Sequence, residues 1–255
     1  MTTMRSPNTD RGMIRVVEGT ERRWSGIEIV VSEDLAGLSR RLDRHPAFDL
    51  RKPVDEADFT HAGANVHAFF HGRTPGLTHA MFTMAVTEAE DYEFPTTENQ
   101  VGHIFDVHLD LNKAGLSRNF YENTLGMQVV FDEILSDGLF YDTWDLDPSA
   151  PEVRMSILKG DAPGFGLGGI EMRCFDSTLL DIAPQIANRL DGGCCMTTFT
   201  TTNLNRAYRA VCNDPGAKIL TEPVSMSESP YGGGYAFTFL APDGDRVEIS
   251  ERWTA

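Results

Sequence analysis

The sequence has no uninterrupted apolar run long enough to cross a bilayer, and its opening, MTTMRSPNTDRGMIRVV, lacks the apolar core of a secretory signal. Both absences lead to the expectation of a cytoplasmic protein. Basic charge is scarce: 22 basic against 38 acidic side chains leave a net charge of −16 with no basic stripe. That excludes nucleic acid and anionic membrane surfaces as expected partners. The four cysteines, Cys174, Cys194, Cys195 and Cys212, form no C-x-x-C pair. Adjacent Cys194 and Cys195 would close a strained ring if oxidised, so all four read as free thiols of a reducing compartment. No G-x-S-x-G elbow, Walker loop or dinucleotide fingerprint occurs, which leaves serine hydrolase, P-loop and Rossmann chemistries without support. Histidine is absent after residue 108: all seven (His45, His61, His67, His71, His79, His103 and His108) lie between residues 45 and 108.

What is present reads as globular. A chain of 255 residues makes one large domain or two small ones, and 41% apolar against 24% charged residues supply a core for either. Polar, aperiodic residues 1–23 read as a loose arm, in which MIRVV could add an edge strand. Beyond them, strand-like runs lead into helical patterns at four places. In GIEIVVSEDLAGLSRRLDRH, residues 27–31 are β-rich and Leu35, Leu38 and Leu42 recur at helical spacing. Residues 32–34 offer the N-cap there, and Pro46 the stop. In GHIFDVHLDLNKAGLSRNFYENTLG, Leu116, Phe120 and Leu125 share a helical face that Gly126 ends. GGIEMRCFDSTLLDIAPQIANRL and CCMTTFTTTNLNRAYRAVCNDPG are the other two starts.

These starts echo one another in pairs. SGIEIVVSEDLAGLSRRL resembles GGIEMRCFDSTLLDIAPQIA, and FDVHLDLNKAGLSRNFYENTLGMQVV resembles TTFTTTNLNRAYRAVCNDPGAKIL, which points to internal duplication. Strand patterns follow at 127–132, 139–145 and 153–158, and again at 218–223, 235–240 and 246–250. Each unit therefore reads βαβββ, a helix on a small sheet, and the fold class expected is α+β. Strand candidates at 66–70 and 77–86 make 24–95 a divergent first unit. The second spans 101–160, and 168–255 holds an extra strand and helix ahead of the C-terminal unit. TEAEDYEFPTTENQ reads as a linker and KGDAPGFGLGG as a second joint.

Three stretches resemble the vicinal oxygen chelate superfamily, which includes glyoxalase I, extradiol dioxygenases and bleomycin-binding proteins. FYENTLG looks like its helix end, HIFDVHLDL like a first strand led by His103, and APDGDRVEIS like a last hairpin whose strand carries a metal-binding Glu248. The resemblance implies repeated βαβββ units forming curved, cup-shaped mixed sheets, with helices packed outside. It also implies a small-molecule enzyme, a dioxygenase, lyase or isomerase, acting on a substrate with vicinal oxygens. A single divalent metal (Fe, Mn, Ni or Zn) or none would sit in the cup, and a homodimer is the expected assembly. A metal-free protein that sequesters a bulky ligand is the alternative.

Position by position, the resemblance sets His103 and Glu248 as metal ligands, with Glu248 as general base where no metal binds. Met196, seven residues before Asn203, falls where the final unit's counterpart of His103 would lie. Arg154 falls where the second unit's last strand would carry a ligand. Thioether and guanidinium are poor ligands for a hard dication, so both are assigned to substrate contact. SPYGGGYAF is either a mobile hairpin loop or a flap that sets Tyr231 against substrate and Tyr235 among the catalytic groups. His67, His71 and His79 are candidates for a second imidazole, and on a strand His67 and His71 share a face. The histidine cluster as a whole reads as surface and hydrogen-bonding residues.

Overall fold

Local signals set most element boundaries in the computed structural model. It describes residues 2–4, 14–16, 24–74, 78–89, 94–111, 116–135, 153–160, 169–175, 194–226 and 233–251. Strands β1 (Thr2–Met4) and β2 (Ile14–Val16) form a separate antiparallel ribbon. The first unit opens with β3 (Gly26–Val31), then helix α1 (Leu35–Asp43). Asp34 caps that helix, its side chain accepting from the Gly37 N–H at 3.0 Å, and Arg40 and Arg41 complement the dipole in the last turn. Strands β4 (Asp49–Asp58), β5 (Val66–Arg73) and β6 (His79–Ala85) complete the unit. β4 escaped the sequence reading because it is charged, mostly exposed and contains Pro53. Those are marks of an edge strand, and it takes one edge of its sheet.

The second unit starts with β7 (Val101–Leu111), followed by α2 (Leu116–Asn119) and a π-type turn over Phe120–Thr124. Gly126, at φ +74°, turns the chain into β8 (Gln128–Leu135), and β9 (Val153–Lys159) follows. The fourth strand is β10 (Gly169–Phe175), parallel to β7 and antiparallel to β9. This corrects the assignment of 168–175 to an extra start: the strand lies between β9 and β7 and closes the second unit. The strand expected at 139–145, the loop at 161–168 and the helical pattern after 175 lie outside the described residues. Antiparallel pairing of β3 with β7 joins the two units into one eight-stranded mixed sheet, ordered β4-β5-β6-β3-β7-β10-β9-β8.

The third unit comprises β11 (Thr197–Thr201), α3 (Leu204–Asn213), β12 (Lys218–Ser225), β13 (Tyr235–Leu240) and β14 (Arg246–Glu251). Asn203 caps α3 through the Arg206 N–H at 3.0 Å. Its four strands run in the order β11-β14-β13-β12. The main core lies between the second and third units. Val107 and Leu109 of β7, Ile170 and Met172 of β10, and Phe120 and Tyr121 meet Leu204, Val211, Phe237, Phe239, Val247 and Ile249. Two sequence motifs touch across it. The Tyr121 hydroxyl donates to Asp245 Oδ2, and Ser117 donates its N–H to Asp243 Oδ2 at 3.0 Å, so FYENTLG is fastened to the APDGD turn. Trp24, fully buried, ties the entry of β3 to the same unit through Nε1 to the Arg246 carbonyl at 2.9 Å.

Candidate metal centre and pocket

Side chains alternate along a strand, so pairing register decides which of them meet on one face. In the middle of the large sheet, His108 on β7 stands opposite Gly26 on β3 and Glu171 on β10, while Glu28 on β3 stands opposite Asp106 and Met81. Each unit thus contributes its first and fourth strands to a central group, β6-β3-β7-β10. Glu28, His108 and Glu171 are all buried, and one ligating atom from each lies within 4.8 Å of the others. They form a group able to hold a metal ion. His108 Nε2 is 4.0 Å from Glu171 Oε1, and neither atom has a hydrogen-bond partner. Two atoms bound to one ion at about 2.1 Å stand roughly 3–4.2 Å apart, so this pair has the spacing of shared ligands.

The electrostatics fit a cation. Burial, then the neighbouring carboxylates Glu171 and Asp106, hold Glu28 well above the usual carboxylate range, while the Thr83 hydroxyl donates to its Oε1. Burial pushes Glu171 up to about 7 and Asp106 up to about 8. Burial, then the Arg173 charge, holds His108 well below the usual imidazole range, leaving it neutral as a ligand must be. Arg173 is fully buried and forks onto Asp110 at 2.6 and 3.1 Å. The guanidinium of Arg173, forked by Asp110, lies 3.7 Å from Glu171, and burial keeps protons on Glu28, Asp106 and Glu171. A dication would supply the countercharge that lets the ligating carboxyls ionise. Two carboxylates and one imidazole are hard N/O donors, suited to Mn, Fe, Ni or Zn.

Glu28 and Glu171 line one part of a small, mainly apolar pocket. Phe69 and Met81 from the first unit and Phe131, Met155 and Ile157 from the second line its walls, with Phe59, Phe105, Ala64 and His67 completing them. Phe105 reaches the pocket beside a β-bulge, where the β3–β7 register shifts between Glu28 and Ile29. The His67 ring lies edge-on to Phe59, with centroids 5.5 Å apart, and burial lowers its pKa to about 4, so it is a neutral wall.

The residues singled out from sequence lie elsewhere. Glu248 is buried on β14 in the other sheet, where Thr198 Oγ1 donates to it at 2.9 Å. His103 is partly exposed on β7, five residues before His108, and is not brought together with Glu248. Arg154 lies on the face of β9 opposite Met155 and Ile157. It is half exposed, forked onto Asp132 at 2.6 and 2.8 Å, and points away from the pocket. Met196 precedes β11 and Tyr235 is exposed at the start of β13, while Tyr231 lies outside the described residues. The histidine cluster also needs correcting: His67, His71, His79 and His108 are buried in the sheet interior rather than set at the surface.

Two signals for the assembled group were present in the sequence. Asp106, His108 and Asp110 alternate through the otherwise apolar run 104–111, and GIEIVV echoes GIEMRC because each brings a glutamate to the pocket.

No protein-family model matches the sequence, and no curated protein matches it. Solved structures do. Glyoxalase I from Zea mays is similar with a TM-score of 0.56 at 16% identity, over 90% of this chain and 68% of that one. A dioxygenase candidate from Bacillus subtilis is similar with a TM-score of 0.50 at 11% identity, over 91% and 63%. The chain therefore spans about two thirds of the length of such proteins. At these identities the likeness establishes the fold alone: a glyoxalase-type curled sheet of βαβββ units.

Proposed function

We propose that the protein is a small-molecule enzyme of the vicinal oxygen chelate type. Its substrate would carry two neighbouring oxygens on a compact apolar or aromatic body. The observation that carries this reading is the convergence of Glu28, His108 and Glu171, two of which, Glu28 and Glu171, also line an aromatic-walled pocket. When bound there, a divalent metal would supply Lewis-acid polarisation of substrate oxygens. The chain's own residues do the rest. Phe69, Phe131 and Met155 exclude water around the substrate body, and the wall offers little hydrogen bonding besides His67. Glu28, with Thr83 donating to one oxygen, is placed to hold or accept a proton at the other. Dioxygenase, lyase and isomerase chemistry would all use these parts.

The test is metal content after gentle purification. About one equivalent of Fe, Mn, Ni or Zn, lost on His108→Ala and on Glu171→Gln but kept on His103→Ala, supports the reading. No bound metal in protein given each of these ions defeats it. A second reading, sequestration of an apolar ligand without metal, draws on the place of Met81: it stands opposite Glu28, where Glu171 stands opposite His108 in the second unit. Tight ligand binding unaffected by Glu171→Gln would favour it.

A further inference from the structure

Behind the candidate metal group lies a chain of buried polar contacts that the reading above does not use. Arg173 Nη1 is 3.2 Å from His79 Nδ1, and His79 Nδ1 is 3.0 Å from His108 Nδ1. A guanidinium has only N–H donors and keeps its charge, so His79 Nδ1 must present its lone pair to Arg173. The opposite assignment would set an imidazole N–H against a guanidinium N–H. With the lone pair on His79, the hydrogen between the two rings belongs to His108, whose Nδ1–H donates. A neutral imidazole has one N–H, so the lone pair of His108 is on Nε2. That is the nitrogen 4.0 Å from Glu171 Oε1.

We infer that Arg173 is a positioning residue: acting through His79, it fixes His108 in the Nδ1–H tautomer and aims the Nε2 lone pair at the place a divalent ion would take. The inference rests on the reading of Glu28, His108 and Glu171 as ligands only for what Nε2 is aimed at. The tautomer itself follows from the contacts. Two further features belong to the device. Asp110 forks the guanidinium and leaves Nη1 toward His79, so the charge is anchored from the side away from the imidazoles. Gly26 lies on β3 between β6 and β7, paired with both His79 and His108. A Cβ at Gly26 would stand 2.8 Å from His108 Nδ1 and 2.5 Å from the His79 carbonyl, so the rings meet because no side chain separates them.

The experiment uses the full chain, metal-free and labelled with ¹⁵N-histidine, and long-range ¹H–¹⁵N correlation spectra of the imidazoles. His108→Gln identifies the His108 signals. Expected is a protonated Nδ1 and an unprotonated Nε2 at His108, with Nδ1 unprotonated at His79. A His108 ring protonated at Nε2 overturns the inference. Removing Arg173 takes the forked guanidinium from buried Asp110 and puts folding itself at risk, so the variant used is His79→Phe, which keeps an aromatic ring and cannot accept. It should mix the His108 tautomers and weaken Zn(II) binding, measured against a competing chelator, by about 10–100-fold. Unchanged tautomer and unchanged Zn(II) affinity in His79→Phe also overturn it. Absence of Zn(II) binding in the unaltered protein would defeat the functional reading alone, and the tautomer result would still decide this inference.

Discussion

His108 on β7 and Glu171 on β10 are direct partners in a parallel register, with Nε2 and Oε1 4.0 Å apart in the sheet interior. Parallel neighbours in this sheet come from opposite ends of one βαβββ unit, so the pair exists only once the whole second unit has closed.

That pair makes the metal-free protein pay for its chemistry. Glu171→Gln replaces a buried acid by a neutral amide of the same shape. The expected outcome is a higher Tm than the unaltered metal-free protein at pH 8.5, with the Tm rise on adding Zn(II) abolished. Thermal scans with and without the ion check both halves.

The pH dependence has a definite sign. Folding raises the pKa of Glu171 to about 7 and of Asp106 to about 8, so the folded state binds more protons than the unfolded chain. Their contribution is complete below the unfolded values near 4 and is lost as pH rises through 7 to 8. The Tm of metal-free protein should therefore fall between pH 6 and pH 8.5, and a divalent ion should restore more stability at the upper end. A flat or rising profile contradicts the burial of these acids.

Filling the pocket should separate ligand binding from metal binding. Met155→Trp adds a large ring to the apolar wall and replaces none of the three candidate ligands. Binding of catechol, a small ring with two adjacent oxygens, should weaken at least about tenfold while Zn(II) affinity stays within about twofold, both read by titration calorimetry.

Tyr121 and Asp245 join the second and third units. Tyr121→Phe removes a donor from a carboxylate that burial already raises to about 6. A loss of about 1–3 kcal/mol is expected, a fall in Tm of several degrees. Arg154→Ala, by contrast, should cost less than about 1 kcal/mol and leave Zn(II) affinity unchanged. Arg154 is half exposed, and Arg118 and Ser156 still hold Asp132.

Local chemistry made much of the fold legible. Asp34 and Asn203 announce helix starts, Gly126 a helix stop, and alternating apolar residues the strands that build each βαβββ unit. β4 stayed hidden because an exposed edge strand needs no apolar face. β10 was misread because a fourth strand that carries an inward glutamate looks like a first strand that does. The candidate site was less legible, for a physical reason. Glu28, His108 and Glu171 lie far apart in sequence, and only hydrogen-bond register across three strands makes them neighbours. Glu248 sits in the corresponding last strand of the third unit. Pattern matching finds that strand equally well, but Thr198 is what meets its carboxylate there.

The indole of Trp24 gives the C-terminal unit a stake in the candidate metal centre. It hangs the start of β3, the strand that bears Glu28, on the backbone of β14. The third unit is thereby a buttress rather than an appendage. Cutting the chain after β10 would uncover the back of β7 and unhook β3 at once, so the half that carries the three ligands has no route to independence from the half that carries none.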